Sequence, residues 1–133
     1  MICAIHQPNY IPYLGFFDKF IKSDIFILYD TAQYSKNDFH NRNRIKTEKG
    51  IRWITIPVHV SLGQKISEVA VADKNILRTH LEQIKYYYRK ASGFKEAYEW
   101  LEKVYLSIHS PLRLIDINIP ILLKFFNLIC PQK

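Results

Sequence analysis

Cysteine is scarce in this chain of 133 residues: Cys3 and Cys130 close at most one bridge. That excludes a disulfide-stapled scaffold, and free thiols in a cytoplasmic protein are the expectation. Glycine is scarcer than average, with four isolated residues, so neither a Walker A loop nor a Gly-x-Gly-x-x-Gly dinucleotide turn is present. There is no Cys-x-x-Cys and no His-Glu-x-x-His, and the five histidines lie scattered at positions 6, 40, 59, 80 and 109. No metal-ligand set is therefore expected. A Gly-x-Ser-x-Gly nucleophile elbow is also missing. Long apolar runs are lacking as well: the longest, Ile119 to Cys130, is interrupted by Pro120, Lys124 and Asn127. Neither a membrane span nor a secretory leader is expected.

What the chain does have is aromatic residues: nine Tyr, eight Phe and two Trp within a composition that is 48% hydrophobic. Disordered chains are poor in such residues, so this one carries a core, and its length suits a single domain over residues 1–133. The net charge is +7, and its densest part is Lys36, Arg42, Arg44, Lys46, Lys49 and Arg52, opposed by Asp38 and Glu48. Such a cluster suits an anionic ligand; a solvated hairpin is the plainer alternative.

The order of patterns reads as α/β. Ile2 to Ile5 is a short apolar run that reads as a buried strand, ending in a Pro-rich turn, His6 to Pro12. Leu14, Phe16, Phe17, Phe20 and Ile21 have helical spacing, and Ile25 to Tyr29 is a continuous apolar run of the kind buried parallel strands show. Together they predict an N-terminal βαβ unit. Asn43–Lys46 and Ile51–Pro57 flank the turn Thr47-Glu48-Lys49-Gly50, a β-hairpin of a small mixed sheet, and Lys65 to Val71 reads as a further strand. Two or three C-terminal helices follow: Lys74 to about Lys90 with Asp73 as cap, a second from Phe94 to Ile108, and a third opening at Ser110-Pro111. Pro120 is expected to kink or split the third near Asp116.

Open α/β sheets bind ligands beyond the carboxyl ends of their strands. His6, Gln7, Asn9 and Tyr10 fall there, past the first strand, and His6 is a candidate general acid/base held by a proline-stiffened loop. Asp30 ends the second strand on the same edge, where a carboxylate can orient His6 or accept a proton. Gln33 and Tyr34 follow closely enough to line the same cleft. The tetrad Asn41-Arg42-Asn43-Arg44, with Lys46, combines amide donor/acceptor pairs and guanidinium forks suited to carboxylate or phosphate. The bland readings of these positions are a loop His on backbone carbonyls, a solvated Asp, and Asn side chains capping their own loop.

The run His6-Gln7-Pro8-Asn9-Tyr10-Ile11-Pro12-Tyr13-Leu14-Gly15-Phe16-Phe17-Asp18-Lys19 resembles the opening signature of the WbqC-like family. Ser23-Asp24, Tyr29-Asp30, Gln33 to Lys36, Asn41 to Lys46, Gly50, Trp53 and Ile56-Pro57-Val58 extend the likeness in order. The resemblance implies a bacterial or archaeal cytoplasmic protein linked to O-antigen or other surface-polysaccharide synthesis, with a glycine-transferring, amide-forming role. Family members usually continue past the point where this chain stops, so it is expected to be C-terminally short relative to the family pattern.

Three functions are expected to compete. The first is transfer of a small acyl or aminoacyl group onto an amino sugar, with His6 as base, Asp30 as its orienter, and Arg42 and Lys46 holding an anionic donor or a nucleotide sugar. The second is nucleotidyl transfer, although His6-Gln7-Pro8-Asn9 lacks the Gly and second His of a His-x-Gly-His loop. The third is a non-catalytic binding module. The sequence names no cofactor, and nucleic acid ranks last among partners because the basic residues coincide with the family motif.

Overall fold

The α/β pattern is realised in a computed structural model that describes residues 1–133. Strand β1 (Cys3–His6) is followed by helix α1 (Leu14–Lys22) and strand β2 (Ile25–Leu28). The strands pair in parallel, Cys3 opposite Ile25 and His6 opposite Leu28, which is the βαβ unit the periodicity predicts. Helix α1 turns Phe16, Phe17 and Phe20 inward, where they meet Leu122 and Phe126. Burial of both strands is not realised. Ile5, Ile25 and Ile27 are 61%, 46% and 42% exposed, because only one face of the two-stranded ladder is covered. A continuous apolar run normally marks a strand covered on both faces; here the second layer is missing.

The remaining strands form separate ladders, so the small sheet is divided into three pairs. Strands β3 (Arg42–Thr47) and β4 (Gly50–Thr55) make the hairpin, with Gly50 at φ +110°, a conformation open to glycine at low cost. Alternation along the hairpin sends Ile45 and Ile54 into the core and leaves Arg42, Arg44 and Lys46 on the opposite face. Strands β5 (Val58–His59) and β6 (Ala70–Val71) pair antiparallel. The strand expected over Lys65–Val71 is realised only in its last two residues, since Ile66–Glu68 forms a 3-10 turn with Glu68 bonded back to the Lys65 N–H.

Helices α2 (Ile76–Tyr88), α3 (Phe94–Leu106) and α4 (Ile115–Ile129) complete the chain. Asp73 does bond the chain at the entry to α2, accepting from the Asn75 N–H at 2.8 Å, but regular helix starts later than the spacing implied. Residues before α4 are extended: the Val71 N–H donates to Leu112 O and the Leu114 N–H to Val69 O, each at 2.9 Å. These bonds hold the segment as a strand-like neighbour of β6 and delay the third helix to Ile115. Pro120 does not split it. It lies in the second turn, where the lost N–H affects one carbonyl, and buried Ile117, Ile121 and Leu122 hold the helix in place.

Candidate functional site

The loop after β1 is fixed from several sides. The Asn118 amide of α4 donates to Pro8 O at 3.1 Å and to His40 O at 2.7 Å, tying two loops to one buried side chain. The Asn43 amide donates to Tyr10 O and Ile11 O. Ile11 itself sits at φ +38°, a strained state for a β-branched residue, which persists only where neighbours over-determine it. Tyr10 is fully buried. Its hydroxyl lies 2.7 Å from His80 Nδ1 and 2.8 Å from the Tyr105 hydroxyl. His80 Nε2 faces Thr55 O at 3.1 Å; a carbonyl only accepts, so Nε2 carries the proton and Nδ1 accepts from Tyr10. Burial pushes His80 down to about 4 and holds the Tyr10 and Tyr105 hydroxyls protonated. Tyr10 thus spends its polar group inside the core.

His6 is half-buried at the end of β1, its ring 4.6 Å from Phe16 edge to face. Nδ1 lies 2.9 Å from Gln7 O and must donate to it, so the neutral ring presents an unprotonated Nε2. Asp30 follows β2 at the same edge of the ladder, yet no hydrogen bond or ion pair joins it to His6. Its carbonyl instead accepts the Ser67 N–H at 2.9 Å. Gln7 is half-buried beside His6.

Four of the sequence-predicted residues, Gln33, Tyr34, Asn41 and Arg42, come together in one cleft of about 680 Å³, joined by Lys36. The Tyr34 hydroxyl donates to Asn41 Oδ1 at 3.0 Å, and Asn41 Nδ2 donates to Ile56 O at 2.9 Å, which orders this wall. Burial raises the Tyr34 hydroxyl's pKa; the neighbouring Arg42 charge offsets part of that. Arg42 lies 4.1 Å above the Trp53 ring, donates to Asn37 O, and leaves a buried Nε without a partner. A second hollow of about 270 Å³ takes Asn9 and Asn43, together with Pro12, Tyr13, Phe39 and Arg44. Lys46 joins neither; its N–H donates to the Tyr88 hydroxyl on the side of α2.

Two residues escaped the sequence reading. His40 is 1% exposed, neither ring nitrogen has a hydrogen-bond partner, and the Asp38 carboxylate stands 3.7 Å away. Burial lowers its pKa most, Asp38 opposes, and the charge of nearby His6 adds to the lowering. A histidine in a polar loop looks solvated, so nothing in the sequence marked it. Asn118 carried a faint signal, one amide inside an apolar helical run. No group of three or more His, Cys, Asp or Glu side chains is arranged to hold a metal ion, and no helix is long and apolar enough to cross a membrane.

The chain is 42% identical over 116 residues to the uncharacterized protein Rv1507c of Mycobacterium tuberculosis, covering 85% of this chain and 50% of that protein. It therefore spans about half the length of this curated relative. No solved structure matches. The sequence profile of the WbqC-like protein family matches residues 7–130, from the loop after β1 through α4, and the chain belongs to that family.

Proposed function

We propose that the chain binds an anionic small molecule in the Gln33–Arg42 cleft. On this reading it serves bacterial surface-polysaccharide synthesis as a cytoplasmic transferase of glycine or another small acyl or aminoacyl group to an amino sugar. The observation that carries the reading is the cleft: a guanidinium with a buried, unpartnered Nε, a lysine and two ordered amide or phenol groups line one wall, and no carboxylate does. A phosphate or carboxylate in the cleft pairs with the Arg42 guanidinium, whose Nη2 also donates to Asn37 O. The acceptor amine attacks the acyl carbonyl, His6 Nε2 takes the amine proton, and the donor's leaving group departs with its electron pair. In this proposal Asp30 acts from the same sheet edge and Gln7 stands beside His6, while His6, Gln7 and Asp30 do not themselves line the cleft. The absence of any bond between His6 and Asp30 favours one second reading, a binding module without chemistry.

The test is calorimetric unfolding with nucleotide-linked amino sugars and activated acyl donors, followed by mass spectrometry for an amide product. A ligand at one hundred times its Kd adds about 2.7 kcal/mol to stability, and Arg42→Ala removes that gain. His6→Ala is expected to slow product formation about 10²- to 10⁴-fold while leaving binding. Binding without product in the wild type selects the binding module, and no response to any anion overturns both.

A further inference from the structure

The smaller hollow holds an unspent recognition group. Asn9 is 9% exposed, and its side-chain amide makes no hydrogen bond within the chain, although it lines the hollow of about 270 Å³. The other amide there, Asn43, is consumed by Tyr10 O, Ile11 O and the Arg44 N–H. The walls are Tyr13, Phe39 and Arg44: two aromatic rings and a planar cation. Tyr13 reaches its place because residue 15 is glycine; a Cβ there would stand 2.2 Å from Tyr13 Cε2. The hollow also adjoins the anion-binding cleft. Arg44 lines the hollow and Arg42 the cleft, two residues apart on β3, about 7 Å along the strand. Both guanidinium groups lie over the same Trp53 ring, at 5.6 and 4.1 Å.

We infer that this hollow is a nucleobase subsite, so that the anionic ligand of the adjoining cleft is a nucleotide or a nucleotide-linked compound. The inference rests on the anion-binding reading of the cleft. A flat π-system stacks on aromatic and guanidinium planes, and a free carboxamide reads a base edge through a paired donor and acceptor. A hexose would present several hydroxyls to a hollow that has a single free amide and no carboxylate. The phosphates of a bound nucleotide then lie between Arg44 and Arg42, above Trp53.

Isothermal titration with the four nucleoside 5′-monophosphates, ribose 5-phosphate, N-acetylglucosamine 1-phosphate and inorganic phosphate tests this. At least one nucleotide is expected to bind tenfold or more tightly than ribose 5-phosphate, the margin that stacking supplies. Asn9→Ala is expected to abolish that margin. Gly15→Ala does the same by driving the exposed Tyr13 ring off its wall, a change that leaves the core untouched and so guards against misfolding of the first variant. Arg42→Ala weakens nucleotide and ribose 5-phosphate alike and preserves their ratio. Nucleotides no tighter than ribose 5-phosphate, or looser than N-acetylglucosamine 1-phosphate, overturn the base subsite and leave the anion cleft standing. Failure of every phosphate to bind overturns the cleft reading together with it.

Discussion

At the scale of single residues, the same polar side chains divide between holding the loops and facing the openings. Tyr10, Asn43 and Asn118 hold; Arg42, Tyr34 and Asn9 face open volume. The sequence reading placed Tyr10 and Asn9 together because both follow the first strand. Only the packing against His80 and Tyr105, seventy and more residues away, separates them. This buried triad has a pH signature. His80, held near 4 when folded, stays neutral over a range in which the unfolded chain protonates it. Its contribution is complete above the ordinary histidine value of about 6.5 and is lost as pH falls toward 4, on the order of 3 kcal/mol. Urea titrations at pH 7.5 and pH 4.5 should show that loss, and His80→Gln should flatten it. Removing the Tyr10 hydroxyl (Tyr10→Phe) leaves His80 Nδ1 buried without a donor and is expected to cost about 1–3 kcal/mol by the same measurement.

At the scale of elements, periodicity located α1, the hairpin, α2 and α3 because each carries its own pattern and turn. The starts of the C-terminal helices were less legible. Asp73 and Ser110-Pro111 look like helix openings, but the backbone bonds from Val71 and Leu114 draw the second of these into an extended pairing. The largest element-scale surprise is the open face of β1 and β2. If those strands were covered on both faces, Ile27→Thr would cost well over 1 kcal/mol. With Ile27 42% exposed, the change is expected to fall within about 0.5 kcal/mol in chemical denaturation. Phe126 gives the contrast. It is 8% exposed and stacks on Phe20 with centroids 3.9 Å apart, so Phe126→Ala is expected to cost about 3–5 kcal/mol as α4 loosens from α1.

At the scale of the whole molecule, two apolar clusters share the chain. The larger joins the hairpin to α2, α3 and α4, the smaller joins α1 to α4, and Phe125 touches both. Because α4 belongs to each, far-ultraviolet circular dichroism and tryptophan fluorescence are expected to report one coincident thermal transition. Two separated transitions would show the clusters to be independent. The sequence by itself determined the class of fold, the βαβ opening, the hairpin and the family, since each rests on local spacing or on residues in order. It also marked Gln33 and Tyr34 with the strand-end residues and Asn41 and Arg42 with an anion-recognition motif, two sets that only the fold brings into one cleft. Only tertiary structure decided that His6 and Asp30 stand unjoined, that Lys46 lies apart, and that His40 is buried behind the cleft. Those outcomes depend on contacts between residues distant in the chain, where packing and desolvation set the result and no local pattern records it.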